Sequence, residues 1–187
     1  MTLLYISILM YFIIWFIYIM AGFQTKTFIK HDDYMTPFNA WDCIKHLIPK
    51  DKIIWESAYG DGKSGEYLKE LGFNVIHEPL DYFNEEPDKW DIQITNPPFS
   101  LKKEWFTKAK ELNKPFIIIA PSSMINTQYI RKLFQNDKLQ IIIPRKRIQF
   151  IKLVDGVVPD NYKNACNFDC FYYCWKMDFI NDITWIG

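Results

Sequence analysis

From residue 36 onward, the apolar positions of this chain follow two rhythms in turn. Short runs rich in apolar and β-branched residues, such as KIIW (52–55), FNVIHE (73–78), WDIQIT (90–95), FIIIA (116–120) and LQIII (139–143), read as buried strands. Between them, apolar residues fall three or four apart. Ala40, Ile44 and Leu47 form such a stripe within TPFNAWDCIKHLI (36–48), and Leu101, Trp105, Ala109 and Leu112 form another. KSGEYLKELG (63–72) and TQYIRKLFQ (127–135) complete the set of predicted helices. Thr36 predicts an N-cap with Pro37 at the first helical position, and Gly72 closes the second helix. RIQFI and FDCFYYCW predict further strand in the C-terminal third. Strands without a polar face, separated by helices, imply an α/β domain on a mostly parallel, doubly wound sheet.

Residues 1–24 stand apart from this alternation. Residues 3–23 are 21 consecutive residues without a charge, which meets the length of about 20 needed to span a bilayer as a helix. Trp15 and several tyrosines are spread through the run, and it lacks the basic start and small-residue cleavage site of a signal peptide. Lys26 and Lys30 follow, so a spanning segment would leave residues 25–187 on the cytoplasmic side. Three readings stand: a single-pass membrane anchor, an over-extended gene start in which AT-rich leader sequence is read as protein, or a buried helix.

With 187 residues, 49% of them hydrophobic, the rest of the chain suffices for one domain and one core. Lys plus Arg balance Asp plus Glu at 22 each, so no overall field draws the molecule onto nucleic acid. Any such contact must be local, and Lys102, Lys103 and the PRKR cluster at 144–147 are the places suited to phosphates. Cys166, Cys170 and Cys174 are spaced by four. In a strand such positions lie roughly 13 Å apart, too far to share one zinc, so they read as small core residues of a reducing compartment. His31, His46 and His77 show neither metal nor triad spacing, and Ser100, Ser122 and Ser123 lack a nucleophile-elbow setting. No metal is expected.

Ligands of doubly wound sheets sit at the carboxyl ends of the strands, and two loops have that address. In WESAYGDGKSG (55–65), Glu56 ends a strand, and Gly60, Gly62 and Gly65 precede or open a helix, permitting positive φ and close approach of a ligand to the backbone. The second is Asn96-Pro97-Pro98-Phe99, directly after WDIQIT. Two prolines fix φ and remove donors, so this corner is rigid and leaves acceptors without local partners.

These two loops in this order resemble those of the class I S-adenosylmethionine-dependent methyltransferases that act on amino nitrogens, and more narrowly the small phage- and virus-type adenine-specific (N6) DNA methyltransferases. The resemblance runs from about Asp33 to Trp175. DDYMTP is similar to that family's N-terminal cofactor motif, WESAYGDG to its glycine motif, TNPPFS to its catalytic motif, and LDYF to the element that holds the cofactor's adenine. RKRIQF and FDCFYYCW resemble its closing strands. The resemblance implies a Rossmann-like fold with an antiparallel C-terminal strand, S-adenosyl-L-methionine as cofactor and DNA as partner. Tyr34, Thr36 and Pro37 would line the methionine end. Glu56 would face the ammonium, and Gly60 and Gly62 would allow close approach. Glu78 would hold the ribose, with His77 replacing it if the strand register slips by one. Asp81 would accept from the adenine amino group, and Tyr82 would pack on its ring. The Asn96 side-chain oxygen and the Pro97 carbonyl would take hydrogen bonds from the two N–H groups of the target amine. Pro98 would brace the corner and Phe99 would stack on a base taken out of its helix.

The sequence departs from the family in one place. Only 12 residues separate Glu78 from Asp91, too few for the helix and third strand of a complete class I sheet, so that edge is expected to be trimmed. The chain has no room for a sizeable target-recognition region, which implies low sequence specificity or a specificity-providing partner. The same corner serves methylation of RNA bases and of protein glutamine amides. A module that binds cofactor without turnover, and an unrelated nucleotide-binding α/β protein, remain alternatives from other classes.

Overall fold

The computed structural model describes residues 32, 34–153, 158 and 168–186. The apolar run 3–23, and with it the anchor, leader and buried-helix readings, lies outside the described residues, as do His31 and Cys166. Among the described residues no helix is long and apolar enough to cross a membrane.

The described residues form nine strands and four helices in the order β1 (Tyr34–Met35), α1 (Phe38–Asp42), β2 (Ile53–Trp55), α2 (Lys63–Glu70), β3 (Asn74–Ile76), β4 (Ile92–Thr95), α3 (Lys102–Glu111), β5 (Phe116–Pro121), α4 (Gln128–Phe134), β6 (Leu139–Pro144), β7 (Ile151–Lys152), β8 (Cys170–Trp175) and β9 (Ile183–Ile186). Seven strands make one sheet in the order β3-β2-β4-β5-β8-β6-β9, and β1 pairs separately with β7. Within the large sheet, β8 alone runs against its neighbours, antiparallel to both β5 and β6. This is the mostly parallel α/β sheet with a reversed C-terminal strand that the sequence implies. The sheet ends at β3, and residues 77–91 form no strand, so the edge is trimmed.

The two covered faces are visible in adjacent residues of β8. Tyr173 joins Phe106 and Ala109 of α3, Ile130 and Phe134 of α4, and Phe116 and Ile118 of β5 in one core cluster. Tyr172 points the other way, donates a hydrogen bond to Ala40 O (2.5 Å) and lies 6.3 Å from the Trp41 ring of α1. Trp41 in turn donates to Ser64 Oγ of α2 (2.9 Å). Both positions are fully buried, which is why this strand shows no polar alternation. Cys170 and Cys174 of β8 are buried, and burial pushes the Cys174 thiol pKa well up, as for inert core residues.

Three local expectations change. The helix predicted over 36–48 is short: it spans Phe38–Asp42 with Pro37 at the cap, and the chain then tightens into a 3₁₀ turn at Lys45–Leu47. Leu101 does not join the α3 stripe. It belongs to a 3₁₀ turn, Phe99–Leu101, and is exposed, while Phe106 takes the core position. In RIQFI only Ile151 pairs, against Met35 of β1.

Candidate active site

The glycine turn follows β2. Gly60 (φ 56°) and Gly62 (φ 83°) both adopt the left-handed region that side chains disfavour, and Gly62 caps α2. A Cβ on Gly60 would lie 3.2 Å from Met35 Sδ, so the segment 34–37 packs directly on this turn. At its other side the same segment meets the corner after β4, where Asn96 Nδ2 donates to Tyr34 O (3.3 Å). The Ala58 N–H is shared between Glu56 Oε1 and Thr95 Oγ1, each at 3.1 Å, and ties the glycine turn to the strand that carries the corner. Tyr34, Thr36, Pro37, Glu56, Gly60, Gly62 and Asn96 through Phe99 therefore form one constellation.

Two acceptors in it lack partners among the described residues. Glu56 is fully buried and its Oε2 makes no hydrogen bond, while burial pushes its carboxyl pKa up to about 7 against bonds from Ser64, Thr95 and Ala58. Asn96 Oδ1 is likewise buried and unpartnered. An unpaired buried polar atom costs about 1–3 kcal/mol, so two at one place mark a surface shaped for something other than the chain itself. A buried carboxylate oxygen fits an ammonium, and an amide oxygen fits an N–H donor. Trp55 Nε1 and Trp105 Nε1 are also unpaired, inside an aromatic cluster where no acceptor explains them.

Around the corner, Lys102 Nζ donates to Phe99 O (2.9 Å) and Leu101 N to Pro98 O (3.1 Å), fixing the bend after the prolines. Phe99 is only 3% exposed. The edges of Phe150 and Phe168 pack on it at 5.7 and 5.4 Å, and Tyr34 meets both rings at 6.3 and 5.7 Å. Phe99, expected to stack on the base, is thus as buried as Tyr82 and presents no open face in this structure, whereas Phe168 is half-buried.

The other expected cofactor residues are placed differently. His77, rather than Glu78, turns onto the glycine turn: a Cβ on Gly65 would lie 2.2 Å from His77 Nδ1, and the imidazole stands 4.9 Å from the Tyr59 ring. Burial lowers the His77 pKa, and Glu78 is exposed. Asp81 spends its carboxylate on its own turn, accepting from Phe83 N (3.1 Å) and Asn84 Nδ2 (2.6 Å), bonds that lower its pKa. Tyr82 is a correction. Its ring lies stacked on Trp105 at 4.0 Å with Trp55 and Phe83 at its sides and 3% exposure, so no face remains for an adenine.

Residues not expected at the site include Phe150, Phe168, Thr95 and Gln93. Gln93 Nε2 donates to Ser57 Oγ (2.7 Å) behind the glycine turn. Its signal was available, because Gln93 and Thr95 are polar at i and i+2 of a buried strand. Phe150 and Phe168 carried none, since aromatic residues in strand-like stretches are usually core. Among the described residues, no three of His, Cys, Asp and Glu could hold a metal ion.

A family model described as adenine-specific methyltransferase EcoRI matches residues 75–171, just over half of the chain. The type II methyltransferase M.EcoRI of Escherichia coli is 27% identical over 128 residues, covering 61% of this chain and 38% of that protein. The chain thus spans well under half the length of that relative. The crystal structure of a dimethyladenosine transferase from Plasmodium falciparum aligns with a TM-score of 0.43 at 12% identity, over 76% of this chain and 62% of that one.

Proposed function

The chain belongs to the EcoRI family of adenine-specific methyltransferases, and from that membership we propose that it is an S-adenosyl-L-methionine-dependent N-methyltransferase acting on the N6 amino group of adenine in DNA. The observation that carries the reading is the buried, unpartnered Asn96 Oδ1 in a proline-braced corner whose Nδ2 is already held by Tyr34 O.

The cofactor supplies a methyl group on a sulfonium, which a weak nucleophile can take. Glu56 Oε2 receives its ammonium, the turn at Gly60 and Gly62 lets it approach the backbone, and Tyr34, Thr36 and Pro37 border it. His77 is the side chain at hand for the ribose. Tyr82, stacked on Trp105, offers the cofactor's adenine no open face, and Asp81, exposed beside it, keeps acceptor capacity for the adenine amine. An adenine amine is a poor nucleophile because its lone pair is delocalised into the ring. Asn96 Oδ1 and the Pro97 carbonyl accept from its two N–H groups and so favour a tetrahedral nitrogen whose lone pair is localised. Transfer would break the sulfonium's S–CH3 bond and release a thioether, and the alkylated nitrogen, now cationic and acidic, would lose its proton to solvent water, so the corner needs no strong base. Placement supplies most of the acceleration.

The test is to incubate the protein with methyl-labelled cofactor and, separately, DNA, RNA and protein, then to digest each acceptor and identify the labelled group. N6-methyladenine from DNA is expected. Label confined to RNA bases or to glutamine amides reassigns the acceptor, and cofactor binding without transfer to any of them removes the enzyme reading.

A further inference from the structure

The chain is neutral overall, yet two places in it carry charge of mostly one sign. Three segments leave the carboxyl ends of β4, β5 and β6, namely 96–104, 121–131 and 144–150. Together they carry Lys102, Lys103, Arg131, Arg145, Lys146 and Arg147 against the single acid Glu104. The connection 78–91 beside the trimmed edge carries the opposite balance, with Glu78, Asp81, Glu85, Glu86, Asp88 and Asp91 against Lys89. The three basic segments form one surface. β4 and β5 are adjacent and parallel, and Lys103 lies 5.6 Å over the Tyr129 ring, joining the segments that follow them. Asp169 accepts from Arg147 Nε (2.8 Å), and its carbonyl accepts from Ser122 N (2.8 Å), joining the third. Arg147 and Lys102 are committed to the fold, the latter through Phe99 O. Lys103, Arg145 and Lys146 are exposed.

Within this basic strip two apolar side chains stand out in solvent, Leu101 at 41% and Ile125 at 42% exposure. A single exposed leucine needs no explanation. These two sit on 3₁₀ turns, Phe99–Leu101 and Ser122–Asn126, that follow the neighbouring parallel strands β4 and β5, the first of them directly after the corner. Both turns have rigid bases. The first is held by the Lys102 and Leu101 bonds described above. The second rests on Met124, 1% exposed, and on the Tyr173 hydroxyl, which donates to Pro121 O (2.9 Å).

On the reading that the substrate is DNA, we propose that a duplex lies across the carboxyl ends of β4, β5 and β6, with Lys103, Arg145 and Lys146 on its phosphates and Leu101 and Ile125 entering the stack beside the target base. Extracting a base from a duplex costs a few kcal/mol of unstacking, and apolar wedges that occupy the vacated space offset that cost. The acidic connection 78–91 repels the backbone and fixes the side from which the duplex approaches.

Two measurements test this. Binding of a fluorescein-labelled DNA duplex is followed by anisotropy against salt concentration. K103A/R145A/K146A should lower the slope of log affinity against log salt by about 2 to 3, roughly one for each phosphate that is no longer neutralised. Transfer of labelled methyl groups is then compared on native and heat-denatured unmethylated bacterial DNA. L101A/I125A should lower the native-to-denatured ratio about tenfold, because only paired substrate needs the wedge. An unchanged slope overturns the phosphate path, and an unchanged ratio overturns the wedge. Tighter binding of an RNA duplex than of DNA overturns the partner. A slope that falls in a protein transferring methyl groups to no acceptor supports the surface and removes the methyltransferase reading instead.

Discussion

Asn96 and Glu56 each hold one oxygen that the folded chain leaves unsatisfied, and the two oxygens ask for different experiments. Removing Asn96 Oδ1 removes an unpaired buried acceptor along with the weak Nδ2 bond to Tyr34 O. Asn96→Ala should therefore leave unfolding free energy within about 1 kcal/mol of the parent or raise it. Turnover should fall by a factor on the order of 100 or more with cofactor affinity nearly intact. Parallel loss of affinity and turnover, measured by calorimetry and single-turnover transfer, would contradict a role confined to the amine. Glu56 predicts a pH dependence. Burial raises its folded-state pKa to about 7 from 4.5, so the folded chain holds a proton that the unfolded chain releases in that window. Its contribution to stability is fully present below pH 4.5 and is lost as pH rises through 7, with an amplitude on the order of 3 kcal/mol. Denaturant unfolding at about pH 5 and about pH 8, either side of most of that window, should show this loss in the parent and not in Glu56→Gln. Cofactor affinity should move oppositely and tighten as pH rises through about 7, because an ammonium prefers the carboxylate. A pH-independent affinity would remove Glu56 from that contact.

At the level of elements, the turn between β2 and α2 depends on one missing side chain. Gly65 lies in the first turn of α2, where His77 from the end of β3 rests against its backbone, and a Cβ there would stand 2.2 Å from Nδ1. Gly65→Ala improves helix propensity by up to about 1 kcal/mol, yet the clash is with His77 Nδ1, Cγ and Cβ, the last at 2.5 Å, so the imidazole must leave and the backbone at the end of β3 must give way with it. The net effect should be a destabilisation of about 1–3 kcal/mol, read as a lower Tm together with disappearance of the Tyr59–His77 cross-peak from the NMR spectrum. A Tm at or above the parent value would show that His77 is not fixed there. The same elements show what sequence could reveal. Runs such as IQIT and FIIIAP are buried at every position because helices cover both faces, and that condition writes itself into composition. The side chain at the end of β3 depends on a one-residue register that a three-residue strand does not announce, so sequence alone does not separate His77 from Glu78. Tyr82 departs from expectation for a related reason. An acidic residue followed by an aromatic one gives no sign that Trp55, Trp90 and Trp105, distant in sequence, converge on that aromatic ring. Leu101 fits a helical stripe on paper because nothing in periodicity distinguishes the last residue of a 3₁₀ turn from the first of a helix.

For the whole molecule, the question is how much chain the site requires. Every residue given a role in holding cofactor or amine lies between Tyr34 and Phe99. The clusters beneath them are built from the described residues of β2, β4, β5, β6, β8 and the helices that cover them. The chain from Asp33 to Gly187 forms a compact unit by itself. At about 155 residues such a unit buries roughly 70% of the surface its unfolded chain exposes, a proportion that independently stable domains share. On that proportion the unit Asp33–Gly187 is large enough to be expected to fold by itself. A protein beginning at Asp33 should unfold cooperatively, with a Tm within a few degrees of the full chain in detergent, and should bind cofactor with the same affinity. Failure of the shortened protein to fold, with recovery when residues 1–32 are restored, would assign the run to the core as a buried helix. Retention of the fold separates the two remaining readings by a further measurement: a membrane anchor makes the full chain pellet with vesicles while the shortened one stays in solution, and a leader sequence is missing from the amino terminus of protein isolated from its natural source.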